Sequence, residues 1–148
     1  MKHAPVENAN ILLVDDNQDG LLVRRSVLEE VGYRVQIASN GEEGLKLFES
    51  TTFDIVVTDY RMPLMDGKEL IQRIRQLKPA ARIILLSGFV DPLGLTELTT
   101  GADVVIAKSS REPVHLLSSV KRLLNRAIGR KQPQRAGRTT PQKRADAV

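Results

Sequence analysis

The sequence predicts an α/β protein on an open, doubly wound parallel sheet of five strands. Five short apolar runs alternate with stretches of helical period. Most of the runs are apolar along their length, as strands covered on both faces are. Right-handed crossovers favour an open sheet, and five strand–helix units are too few for an eightfold barrel.

Ile11-Leu12-Leu13-Val14 is the first strand and ends in Asp15-Asp16. A helix follows from about Gln18 to Val31, with Val23, Val27, Leu28 and Val31 as its apolar stripe and Arg24, Arg25, Glu29 and Glu30 outside. Gly32 is suited to end it. Tyr33 to Ala38 alternates Val35 and Ile37 with Arg34 and Gln36 and forms the second strand. Asn40 caps a second helix to about Ser50 that buries Leu45 and Phe48. Phe53 to Thr58 is the third strand, and Asp59 stands where it ends. Pro63 cannot continue a ladder, so Asp59 leads into a rigid loop and then a helix from Gly67 to Leu77 that faces Leu70, Ile74 and Leu77 inward. Arg82 to Leu86 is the fourth strand, followed by Ser87-Gly88 and a short helix near Leu93 to Thr100. Val104 to Ala107 is the fifth, ending at Lys108. The last helix, about Glu112 to Ile128, carries Leu117, Val120, Leu124 and Ile128 on one stripe, with Pro113 in its first turn.

The chain has 148 residues, 41% hydrophobic and 27% charged, ordinary values for a globular domain. No apolar run reaches the roughly 20 residues of a membrane span. No signal-peptide core precedes Asn10, so the expected location is the cytoplasm. Cysteine is absent, which excludes disulfides and thiolate metal sites. The net charge of +4 divides unevenly: residues 1–129 hold 16 Lys and Arg against 17 Asp and Glu, residues 130–148 hold 6 against 1. The body therefore gives no sign of nucleic-acid binding. The last stretch has too few large apolar side chains to offset the entropy of ordering and reads as a basic disordered tail. The expected division is an N-terminal extension 1–9, a folded body 10–129 and the tail 130–148.

In an open parallel sheet the strand C-termini share one edge, where ligands bind. That edge collects Asp15 and Asp16, Asp59, Ser87 and Lys108. Like charges about 4 Å apart repel by roughly 4 kcal/mol at an effective dielectric near 20. Carboxylates so crowded need a cation or raised pKa values. Oxygen donors without Cys or nearby His suit Mg²⁺ or Mn²⁺, and Ser87 and Lys108 suit phosphate oxygens. Taken singly, Asp15-Asp16 reads as a cap and turn pair, Lys108 as a solvated loop lysine and Ser87 as a turn; their joint placement favours a site.

This constellation resembles the receiver domain of two-component response regulators over about Asn10 to Ile128. It rests on Asp15-Asp16, Asp59 with Met62-Pro63 and Asp66-Gly67, Ser87-Gly88, and Gly101-Ala102-Asp103 leading to Lys108. The resemblance implies a flavodoxin-like sheet of order 2-1-3-4-5. It implies that Asp59 accepts a phosphoryl group from a histidine kinase or histidine phosphotransfer protein. Asp16, Asp59 and the main-chain carbonyl of Arg61 would ligate Mg²⁺, with Asp15 holding it through water. Ser87 and Lys108 would bind the phosphoryl group. The expected protein is a stand-alone phosphoacceptor, not a turnover enzyme, that switches a downstream protein partner through the fourth helix, fifth strand and fifth helix.

Two positions depart from the family pattern. Ser109 follows the lysine where a proline in a cis peptide is usual, and Val105 stands where an aromatic switch residue is usual. A rotating ring cannot transmit the signal here. Arg61 and Phe89 occupy positions that tune dephosphorylation in the family. The rival readings are a pseudo-receiver that binds partners without phosphorylation, kept alive by Ser109 and Val105, and a phosphatase with an aspartyl nucleophile after the first strand.

Overall fold

The computed structural model describes residues 8–88 and 94–130, the last four of these by backbone alone. The elements are β1 (Asn10–Val14), α1 (Gln18–Glu30), β2 (Arg34–Ala38), α2 (Gly41–Ser50), β3 (Ile55–Asp59), α3 (Gly67–Leu77), β4 (Ile83–Ser87), α4 (Glu97–Thr100), β5 (Val104–Ala107) and α5 (Glu112–Arg130). The strands form one parallel sheet in the order β2-β1-β3-β4-β5. The order reverses between β1 and its two neighbours, β2 and β3, which puts a crevice at their C-terminal ends.

Strand side chains alternate between faces, so each face gathers its own core. On one face Ile11, Leu13, Ile55, Val57, Ile84, Leu86 and Ile106 meet Leu21 and Leu28 of α1 and Leu116, Val120, Leu123 and Leu124 of α5. On the other, Leu12, Val14, Val56, Ile83 and Leu85 meet Leu70, Ile71 and Ile74 of α3, with Leu45, Leu47 and Phe48 of α2 at the margin. Each fully buried Leu or Ile contributes about 1.5–3 kcal/mol. The cap of α2 is Asn40, as expected, whereas α1 is capped by Asn17 rather than by Asp15-Asp16. Asn17, Asn40 and Asp66 accept from the backbone N–H three residues on, at 3.0, 2.7 and 2.9 Å, and open α1, α2 and α3.

Three helix faces differ from the sequence reading. On α1, Val23 and Val31 are exposed, and the stripe that meets the sheet is Leu21, Arg24 and Leu28. Arg24 therefore points inward, not to solvent. On α5, Val120 and Leu124 of the expected stripe are buried and Leu117 is half-buried, and the face is widened by Leu116 and Leu123, which are also buried. Leu77 has the angular position of a core residue, but as the last residue of α3 it reaches solvent. Periodicity fixes an angle around the helix and leaves the height along it open. The fourth helix begins at Glu97 and has four residues. Leu93, Phe89, His3, the tail 131–148 and the side chain of Ile128 lie outside the described residues.

Candidate functional site

The edge expected to carry chemistry does gather the acidic residues. Asp15 follows β1, Asp59 is the last residue of β3, Ser87 is the last of β4, and Lys108 follows β5. Asp15, Asp59 and Ser87 are buried, Asp16 is exposed, and Lys108 is partly exposed. Backbone bonds hold the frame. Asp15 N donates to Ala38 O at 3.1 Å, Tyr60 N to Leu86 O at 2.9 Å, and Lys108 N to Ser87 O at 3.0 Å. Ser87 is thus drawn beside Lys108 by the β4–β5 pairing rather than by a turn of its own.

The loop after Asp59 is closed by a steric requirement. Gly67 N donates to Tyr60 O at 2.7 Å. A Cβ at Gly67 would strike Asp59 O and lie 2.9 Å from both Tyr60 Cα and Leu85 Cδ1. Only glycine lets α3 start this close to the backbone of Asp59. Arg61 is exposed, two residues past Asp59, where its carbonyl belongs to the same loop. Leu64, with φ 71°, is the one described non-glycine residue in the left-handed region.

The electrostatics are compact. Carboxylate oxygens of Asp15, Asp16 and Asp59 lie within 4.8 Å of one another. Lys108 Nζ lies 2.5 Å from Asp59 Oδ1 and 3.9 Å from Asp15 Oδ2. Burial pushes the Asp59 carboxyl above its ordinary value; the hydrogen bond from Lys108 opposes this, and the charge of Asp15 adds to it. An all-oxygen cluster that holds one of its carboxylates under such strain fits a small hard divalent cation.

Two residues of the site escaped the sequence reading. Arg24 Nη1 donates to Asp15 Oδ2 at 2.7 Å, while its Nε and Nη2 donate to Glu112 Oε2 and Oε1 at 2.9 and 3.0 Å. All three side chains are at most 11% exposed. Burial alone would lower the Arg24 pKa; Glu112 and Asp15 outweigh it and hold the guanidinium charged. A signal was present: Arg24 sits three residues after Leu21 and four before Leu28, inside an i, i+3, i+7 pattern. A stripe centred on Val23, Val27, Leu28 and Val31 instead turns Arg24 outward. Among the described residues no peptide bond is cis, so Lys108–Ser109 is trans. Val105 is partly buried on β5, at the margin of the α3-side core.

The response regulator receiver domain model matches residues 11–121. The chain belongs to the receiver domain family. This receiver is similar to a CheY-like receiver domain of Methanospirillum hungatei JF-1, 32% identical, with TM-score 0.76 over 82% of this chain and 98% of that one. It is also similar to a response regulator of Thermotoga maritima solved with Mg²⁺ and BeF, 35% identical, with TM-score 0.70 over 78% of this chain and 98% of that one. A probable transcriptional regulator of Cyanidium caldarium is 33% identical over 84% of this chain, and the receiver spans 51% of it. Among the described residues no helix is long and apolar enough to cross a membrane.

Proposed function

We propose that this receiver takes a phosphoryl group on Asp59 from a phosphohistidine of a histidine kinase or phosphotransfer protein. The carrying observation is the contact of Lys108 Nζ with Asp59 Oδ1 inside the cluster of Asp15, Asp16 and Asp59. An Asp59 carboxylate oxygen forms the new bond to phosphorus as the bond to the donor imidazole nitrogen breaks, and the nitrogen keeps that electron pair. Asp16, Asp59 and the Arg61 carbonyl would hold Mg²⁺ directly and Asp15 through water. The ion would supply charge neutralisation for the phosphoryl oxygens. Lys108 leaves Asp59 and pairs with the incoming phosphoryl group, and the Ser87 hydroxyl donates to it. Burial raises the Asp59 carboxyl above its ordinary value against the hydrogen bond from Lys108, so its ionised form gains from a cation beside it. Asp15 is less free to act as nucleophile, because both of its oxygens are already engaged by Asn17 N and Arg24.

The phosphorylated site would act on a protein partner through α4, β5 and α5, without turnover of an external substrate, in the cytoplasm. The pseudo-receiver remains the second reading, favoured by Val105 and by the trans Lys108–Ser109 bond. Incubation with Mg²⁺ and acetyl phosphate, read by intact mass, separates the two. The expected result is one added phosphoryl group, absent in Asp59→Asn and in EDTA. No mass change in the wild-type chain under the same conditions supports the pseudo-receiver.

A further inference from the structure

Arg24 does more than hold Asp15: with Glu112 and Gly20 it forms a unit of its own. Arg24 spans from Asp15, in the acidic cluster, to Glu112, the first residue of α5. Its guanidinium is planar and rigid, so a shift of Nη1 carries Nε and Nη2 with it. Glu112 is anchored in turn to the loop of Lys108, since its N–H donates to Ser109 O at 3.1 Å. Gly20 gives the guanidinium its space: a Cβ there would lie 2.9 Å from Arg24 Nη1 and 3.4 Å from Asp15 Oδ2. A glycine inside a helix is unfavourable, so α1 carries it at a cost where the arginine passes.

Asp15 Oδ1 is held by Asn17 N at 3.0 Å, and Oδ2 is shared by Arg24 and Lys108. An oxygen drawn toward a divalent cation, or toward water bound to one, gives up part of its bond to Arg24. The fork then rests on Glu112. We propose that Arg24 is a positioning residue that couples cation occupancy of the acidic cluster to the first turn of α5. This route uses no aromatic ring on β5, the element that Val105 leaves out. It rests on the proposed Mg²⁺ site, and coupling of this kind is reciprocal: what moves α5 also changes cation affinity.

The test compares amide hydrogen exchange of the full chain in EDTA and in saturating Mg²⁺, with Mg²⁺ binding followed separately by calorimetry. In the wild type, amides in the first turn of α5 are expected to change exchange rate by about fivefold or more, the lower end of ordinary coupling. Arg24→Lys keeps the charge but has no fork to hold both carboxylates, so at a Mg²⁺ concentration that calorimetry shows to saturate it the response should be lost. Gly20→Ala alters no charge, crowds Nη1 and should reduce the response; it serves as the arm if Arg24→Lys does not fold. A response of wild-type size in the folded variants overturns the proposal, as does its absence in a wild type that binds Mg²⁺. Failure of the wild type to bind Mg²⁺ at all overturns the metal reading together with it.

Discussion

The two sides of the sheet's C-terminal edge are built differently. On the β1–β3 side, Asp15, Asp59 and Arg24 are met by Lys108, after β5, and Glu112, at the start of α5, at 2.5–3.9 Å. Most of these side chains are nearly closed to solvent, and Gly67 locks the loop above them. On the β4–β5 side, α4 has four residues, Leu98 is 94% exposed, and β5 buries fully only Ile106. That side is held by small exposed contacts: Thr96 and Thr99 cap each other, and Glu97 Oε2 accepts from Val105 N at 3.0 Å. The comparison teaches that the buried acidic cluster and the α4–β5 surface are held by contacts of different kinds, with Arg24 and Glu112 joining the cluster to α5. Positioning for phosphoryl transfer needs rigidity, whereas a switching surface is drawn from the weakly held part of a fold.

The largest expected effect lies on the rigid side. Gly67→Ala forces a Cβ against backbone at Asp59 and Tyr60, neither of which can move without shifting β3. Overpacking of this kind costs about 1–3 kcal/mol or more, and contact with backbone places it at the upper end. Urea unfolding should show a lower midpoint at unchanged m. A midpoint near that of wild type would mean that the acceptor loop yields, and the contrast between the two sides would weaken.

The second effect is electrostatic and depends on pH. The folded Asp59 carboxyl binds its proton more tightly than the ordinary carboxyl of pKa 3.8. The stability this contributes is complete below 3.8 and is lost as pH rises through the folded value. In EDTA, Asp59→Asn should therefore gain on the wild type as pH rises across that window. Saturating Mg²⁺ should reverse the order, since a ligand at a hundred times its Kd stabilises by about 2.7 kcal/mol. Thermal unfolding of both chains, with and without Mg²⁺, reads the crossing; parallel curves would show that Asp59 bears no excess charge strain.

Much of this was legible in the sequence for a physical reason. Strands buried on both faces must be apolar runs, so β1, β3 and β4, with the carboxylates that end β1 and β3, could be read one residue at a time, and the edge strand β2 from its alternation. Asn17, Asn40 and Asp66 are likewise local signals, because a cap bonds within three residues. Arg24 was not legible in the same way. Its partners are 9 and 88 residues away, and a charged residue within a helical stripe reads as solvated until the fold supplies the acids. The short α4 was overextended because weak helix formers, Thr and Gly, leave the ends to be set by tertiary contact.

The smallest effect tests the loosely held side. Glu97 is exposed, yet its carboxylate satisfies the outward N–H of Val105 on the edge strand β5. Glu97→Ala should cost about 1 kcal/mol or less in global stability, because water can replace an exposed acceptor. Its local effect should be larger. With that link gone, amides of α4 and the N–H of Val105 should exchange faster, while those of β1 and β3 keep their protection. If exchange instead rises across the whole sheet, α4 is part of the same cooperative unit as the acceptor side. The α4–β5 surface would then have to move with the core rather than against it.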